Sequence, residues 1–299
     1  MTYKNITLIG ASGSIGSIIL SGLIQASDFT ISVVSRTESR ATFPPGVTVH
    51  KTDFSDTHLH SILQGQDVVI SALGATGFNE QKKLVDAAIT AGVKLFIPSE
   101  FSASSQTEAV LELLPLFREK YDLIAYLRTR EGSISWTGIA TSGLFDWGLR
   151  NGFLEFDTPT RTATIWDDGN KSFTLTNEKA LSDAVVSVLR NPDVVKNEYI
   201  YIYSVQTTQN EILRSLESAT GTAWTVKRTT TEEQVREGRR RLAEGDFGGA
   251  FALVRGTVFG GLEGLRSDYV RDWGVANGRI GVGVLGDDVD GTVGRVVGV

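Results

Sequence analysis

The chain has 299 residues, enough for one large domain or two modest ones whose core needs no disulfide or metal. Lys and Arg number 29 against 35 Asp and Glu, a formal charge of −6, which excludes a nucleic-acid grip built on bulk positive charge; 41% hydrophobic and 21% charged residues exclude a disordered chain. There is no cysteine, so thiol catalysis, disulfides and cysteine–zinc sites are excluded together, and the histidines are limited to His50, His58 and His60.

Met1-Thr2-Tyr3-Lys4-Asn5 leads straight into a short apolar run, unlike the basic start and longer apolar core of a secretory signal. No window holds the ~18 apolar residues of a membrane span. We expect a cytoplasmic protein with no membrane partner.

The first half alternates strands and helices. Ile6–Ile9 is a short apolar strand, and Ser14–Ala26 spaces its apolar residues as a helix does. Phe29–Val34 and Val47–His50 read as strands, Thr57–Leu63 as a short helix, and Asp67–Leu73 as a buried strand. Glu80–Ala91 is a helix ended by Gly92, and Val93–Ile97 is a strand stopped by Pro98. Thr107–Arg130 is expected to be largely helical despite Pro115, with a strand at Ile134–Ala140. Strands separated by helices need crossover connections, hence a parallel sheet, and unalternated Val/Ile/Leu runs suit strands covered on both faces. The expected fold is α/β, a Rossmann-type doubly wound parallel sheet over residues 1–150. A smaller C-terminal α+β substrate-binding region follows over residues 151–299.

That second half predicts helices at Glu178–Leu189, Thr208–Thr220 and Thr231–Ala243, and strands at Asn197–Tyr203 and Trp224–Lys227. The last helix opens on a capping-type Thr-x-Glu-Glu pattern. Asn277–Val299, rich in glycine, valine and aspartate, reads as an irregular edge or a frayed tail.

Between the first strand and first helix lies Gly10-Ala11-Ser12-Gly13-Ser14-Ile15-Gly16. Gly10 lets the chain turn out of the strand, Gly13 lets a pyrophosphate approach the backbone, and Gly16 lets the helix lie close on the sheet. The free N–H groups of Ser12 to Ile15 and the positive helix end then face an anion. In dinucleotide folds the second strand is followed by an acid for the ribose. Here Ser35-Arg36 ends that strand, and Arg36 offers a planar cation for a 2′-phosphate, with Ser35, Thr37 and Arg40 as further donors. This favours NADPH over NADH. By topology, Asp53 falls at the adenine, and Ala72, Leu73 and Gly74 beside the nicotinamide.

GASGSIG, Arg36, the DVVISALG segment Asp67–Gly74 and Leu95-Phe96-Ile97-Pro98-Ser99-Glu100-Phe101 occur in that order. Together they resemble the NmrA-like, isoflavone-reductase-like branch of the short-chain dehydrogenase superfamily, which includes isoflavone, pinoresinol-lariciresinol and phenylcoumaran benzylic ether reductases and fungal homologues. The resemblance implies that Lys120, in Phe117-x-x-Lys120, is the catalytic lysine, aimed at the substrate near C4 of the nicotinamide. It also implies Pro98 and Ser99 beside the cofactor and Glu100 and Phe101 beside the substrate. The Tyr-x-x-x-Lys pair of ordinary members is absent, since Tyr126-Leu127-Arg128-Thr129-Arg130 ends in arginine, as the atypical branch leads one to expect. One departure stands out. Plant members usually read PSEFG, whereas Phe101 is followed here by Ser102-Ala103-Ser104-Ser105, so the pocket rim should differ.

Phe101, Phe145, Trp147, Phe153, Phe156 and Trp166 are the expected substrate wall, with Phe145 and Trp147 in contact with a planar aromatic substrate. His58 and His60 lack further ligand types nearby, so no metal is expected. No G-x-S-x-G elbow supports a hydrolase, and Arg236–Arg241 reads as a solvated helix face rather than a nucleic-acid surface. The expected function is NADPH-dependent reduction of a small, aromatic secondary metabolite with Lys120 as acid or base. The alternatives are an NAD(P)-sensing regulator without turnover, or a homologue turned to a non-redox biosynthetic step.

Overall fold

The computed structural model describes residues 3–283 and 287–298. The first half forms β1 (Asn5–Ile9), α1 (Ser14–Ala26), β2 (Thr30–Arg36), β3 (Thr48–Thr52), α2 (Asp56–Leu63), β4 (Val68–Ser71), α3 (Gln81–Ala91), β5 (Leu95–Ile97), α4 (Glu108–Leu113), α5 (Arg118–Thr129) and β6 (Ser135–Ala140). Every pair in this sheet is parallel, in the order β3-β2-β1-β4-β5-β6. The order reverses between β1 and β4, which opens a crevice at the carboxyl ends of the strands. All four residues of β4 are buried, as a central strand with helices on both faces requires.

The long helix expected over Thr107–Arg130 is broken. Pro115 has no N–H to donate and cannot continue α4, so the chain makes a 3₁₀ turn at Pro115–Phe117 and restarts as α5. Lys120 therefore sits in the first turn of α5 rather than in mid-helix. Strand β2 is longer than expected, and Arg36 is its last residue.

The chain continues through β7 (Gly143–Leu144), α6 (Phe145–Arg150), β8 (Phe156–Asp157), β9 (Thr162–Trp166), β10 (Phe173–Thr176), α7 (Glu178–Arg190) and β11 (Glu198–Tyr201). Strand β11 pairs in parallel with β6 and becomes the seventh strand of the main sheet. Helix α7 lies against α1 so closely that a Cβ on Gly22 would stand 2.5 Å from Ser182 Cβ. The sheet thus takes elements from both sides of residue 150.

Then come β12 (Val205–Thr207), α8 (Gln209–Thr220), β13 (Thr225–Thr229), α9 (Thr231–Ala243), α10 (Gly248–Phe259), α11 (Tyr269–Asp272) and α12 (Val289–Val297). Two three-stranded sheets, β12-β10-β7 and β13-β9-β8, carry a second core around Phe145, Phe156, Trp166, Phe173 and Phe259. Capping boxes close α8 (Thr208 with Glu211) and α9 (Thr230 with Glu233). The arginines of α9 pair within their own surface, Arg236 with Glu232 and Arg240 with Glu237 and Glu244.

The tail is not frayed through Val289–Val297. Asp288 caps α12, Val293 and Thr292 are fully buried against α8 and α6, and Thr292 Oγ1 accepts from Asn177 Nδ2 at 2.9 Å. Gly291, Gly294 and the valines are poor helix formers, so the helix forms through this tertiary burial rather than through propensity. Among the described residues, no helix is long and apolar enough to cross a membrane.

Candidate active site

The glycine turn separates into two structural positions and one open one. Gly10 has φ +84°, and a Cβ there would meet Ala72 O at 2.5 Å. A Cβ on Gly16 would lie 2.1 Å from Gly10 O. Gly13 is different: it is extended, with only Gly10 O as near as 3.4 Å. No side chain caps α1, whose first N–H groups face the turn, so the bare face at Gly13 is free for an anion.

A cleft runs from this turn over β2. Gly10, Ser12, Gly13, Ser35, Arg36, Phe43, Phe54, Ala72, Leu73 and Gly74 line it. Arg36 is 74% exposed and lies 3.4 Å from Glu38, a pair too solvated to resist a phosphate. Arg40 is exposed and does not line this cleft. Asp53 does not either. Its carboxylate takes the N–H of Ser55, which holds it down to about 2, and pairs with His58 at 2.9 Å. The next residue, Phe54, reaches the cleft instead, from a backbone with φ +59°. Phe43 and Phe54 were not singled out by sequence, since each is a lone aromatic in a loop.

Beyond Gly13 opens a cavity of about 430 Å³. One wall is the glycine turn and the segment after β4: Gly13, Ser14, Ile15 and Leu73 to Gly74. Another is the segment after β5, Ser99 to Ser102, facing Lys120. Ser99 is tied to both neighbours, its Oγ donating to Leu73 O at 2.7 Å and its N–H to Gln81 Oε1 at 2.8 Å. Pro98 is buried beneath and does not line the cavity.

Lys120 is 3% exposed. Its Nζ donates to Glu100 O at 3.1 Å and Ser102 Oγ at 2.9 Å, between the rings of Phe78 (4.7 Å) and Phe117 (4.5 Å). Burial pushes the amine down to about 8, and the Glu100 carboxylate opposes that fall. The Glu100 carboxyl is itself raised by burial, against the pull of Lys120, although Tyr199 donates to it at 2.8 Å and Ser105 at 2.9 Å. A buried amine that titrates near neutrality, beside a cavity, can give or take a proton.

The aromatic wall is only partly the expected one. Phe101, Trp147 and Phe153 line the cavity. Phe145, Phe156 and Trp166 do not; all three are buried in the second core, where Trp166 donates to Glu155. Their places are taken by Phe78, Phe117, Phe247 and Phe251. The last two belong to the start of α10, a helix hidden in the sequence by Gly248-Gly249, though Phe247, Phe251, Val254 and Val258 follow helical spacing. Among the described residues, no group of three or more His, Asp or Glu could hold a metal.

The model of the NmrA-like family matches residues 2–239. An oxidoreductase of Aspergillus flavus, aprR, is 33% identical over 274 residues, covering 90% of this chain and 91% of its own. The oxidoreductase poxI of Penicillium oxalicum is 29% identical over 291 residues, covering 96% and 92%. The structure of a binary complex of leucoanthocyanidin reductase with NADPH from Vitis vinifera is similar with a TM-score of 0.70 at 19% identity, over 83% of this chain and 85% of that one. The chain therefore belongs to the NmrA-like family.

Proposed function

We propose that this oxidoreductase is an NADPH-dependent reductase of a small, mostly apolar aromatic metabolite, with Lys120 as the group that exchanges the proton. The observation that carries the reading is the single cavity shared by the cofactor turn and the buried amine of Lys120. The residues fit the dinucleotide. Gly13 leaves room for the pyrophosphate at the α1 N-terminus, and Arg36 stands at the strand tip for a 2′-phosphate. Bound there, NADPH would supply hydride to an acceptor carbon held within ~3.5 Å.

The chain's own residues do the rest. Phe101, Trp147 and Phe153, with Phe251 at the exposed rim, offer an apolar wall that suits a flat, uncharged body. The ammonium of Lys120 stabilises charge on the reacting oxygen and is the source of the proton that neutralises it. The relatives named oxidoreductase and the NADPH complex of a structural neighbour support the class of reaction.

The test is titration calorimetry with NADPH and NADH, then NADPH oxidation over aromatic ketones, enones, quinones and benzylic ethers. NADPH should bind at least tenfold tighter, ~1.4 kcal/mol, and Arg36→Ala should remove most of that preference. Equal affinities, with no member of the panel consuming NADPH, would contradict the reading.

A further inference from the structure

Ser102 sits where the sequence leaves the PSEFG pattern, and its hydroxyl is bonded directly to the amine of Lys120. Its backbone is fixed: Ser102 O accepts the N–H groups of Thr141 and Ser142, each at 3.1 Å, and the hydroxyl of Tyr269 at 3.4 Å. The side chain is half-buried and lines the cavity with Lys120, Ser99 and Leu73.

Its present bonds leave it free to turn. Ser102 Oγ accepts from Lys120 Nζ at 2.9 Å and donates to Glu100 O at 2.7 Å. Glu100 O also receives an N–H from Lys120 at 3.1 Å. The Ser102 O–H can therefore swing to an incoming oxygen without orphaning that buried carbonyl.

We propose that Ser102 is the hydroxyl through which Lys120 passes its proton to the reacting oxygen of the substrate; the proposal rests on the reductase reading above. As the substrate oxygen gains charge it takes the Ser102 Oγ proton, and Oγ takes one proton from Lys120 Nζ. One O–H bond forms on the substrate and one N–H bond breaks on the lysine. Serine ends as it began, the amine ends neutral, and the relay itself moves no electrons.

Burial of Lys120, opposed by Glu100, favours release of that proton. The groups packed around the relay are Glu100 in the same segment, Phe78 and Phe117 on the rings' side, Tyr199 of β11 bonded to Glu100, Tyr201 bonded to Ser104, and Tyr269 of α11. Glu100 is the one that shifts Lys120 electrostatically.

The experiment has two arms. Lysine labelled at Cε is titrated by NMR in the protein without substrate, with Lys120→Met to assign the signal. Ser102→Ala removes an acceptor from the ammonium, so the Lys120 titration should fall by about one pH unit, and Ser102→Thr should restore it. In turnover, Ser102→Ala should lose ~10–100-fold in kcat, with the alkaline break of the pH profile moving with the NMR titration, and Ser102→Thr should recover most of it. An unmoved lysine titration in Ser102→Ala overturns the proposal, as does a moved titration with unchanged kcat. If the unmutated protein consumes no NADPH, the reductase reading fails and takes the relay with it. The titration arm, which needs no substrate, would still show whether Ser102 partners Lys120.

Discussion

A primary amine that is 3% exposed is the least expected group in this molecule, because burial opposes its charge. Its folded titration near 8 lies below the ordinary 10.5, so the folded state binds fewer protons than the unfolded one between those values. Stability contributed at this position then rises with pH across that window. Relative to Lys120→Met, the unmutated protein should gain up to about 3 kcal/mol between pH 8 and 10.5, measured by urea unfolding; a pH-independent difference would mean that the amine titrates normally. In the proposed reduction the amine acts in its charged form, so turnover should fall as pH rises through about 8. At this scale the sequence is read unevenly. Lys120 is one lysine among many until the order of motifs singles it out, and nothing in its neighbours announces burial. Phe145 and Trp147 look equivalent as aromatics, yet two residues apart on α6 they point to opposite faces. One joins the second core and the other the cavity. Asp53 fails as a cleft residue because a turn at Phe54 presents the ring instead of the acid.

Elements carry the site more legibly than single residues do. The strand–turn–helix of β1 and α1 is plain in the sequence because each glycine answers a geometric demand. Gly13 is the position where only a ligand objects to a side chain, since the nearest atom to a Cβ there is Gly10 O at 3.4 Å. Gly13→Val should abolish NADPH binding with an unchanged melting temperature, followed by calorimetry and thermal melts; normal binding would remove this turn from the cofactor site. Helix α10 was illegible for the opposite reason, because its glycine pair masks an apolar stripe that is only half used for the core. Leu253 faces inward at 1% exposure, while Phe251 is 55% exposed at the cavity. Phe251→Ala should raise KM about tenfold, ~1.4 kcal/mol, and barely change stability, whereas Leu253→Ala should cost ~2–5 kcal/mol. Equal loss of stability in both would mean that Phe251 belongs to the core. Thr107–Arg130 is largely helical, as its spacing predicts, but helical spacing on both sides of Pro115 conceals where the helix breaks.

On the scale of the whole molecule, the doubly wound sheet was readable because parallel strands declare themselves by unbroken apolar runs. Its completion by α7 and β11 was not, since a return from residue 178 to the sheet edge leaves no local signal. The same holds for α12, which packs on α6, the helix that brings Trp147 to the cavity. Val293→Ala should therefore cost about 2 kcal/mol and lower the melting of the whole chain in one transition, seen equally by tryptophan fluorescence and far-UV dichroism. Two separated transitions would show that the tail helix is not part of the common core. That the glycine turn holds the cofactor while Lys120 handles the proton across a shared cavity is our proposal, and stopped-flow single turnover of Lys120→Ala tests it most directly. With NADPH saturating and the best substrate of the panel, NADPH affinity should stay within a few fold while the rate of NADPH oxidation falls by ~10²–10⁴. An alanine variant with full rate would contradict it, as would one that loses the rate only because NADPH no longer binds.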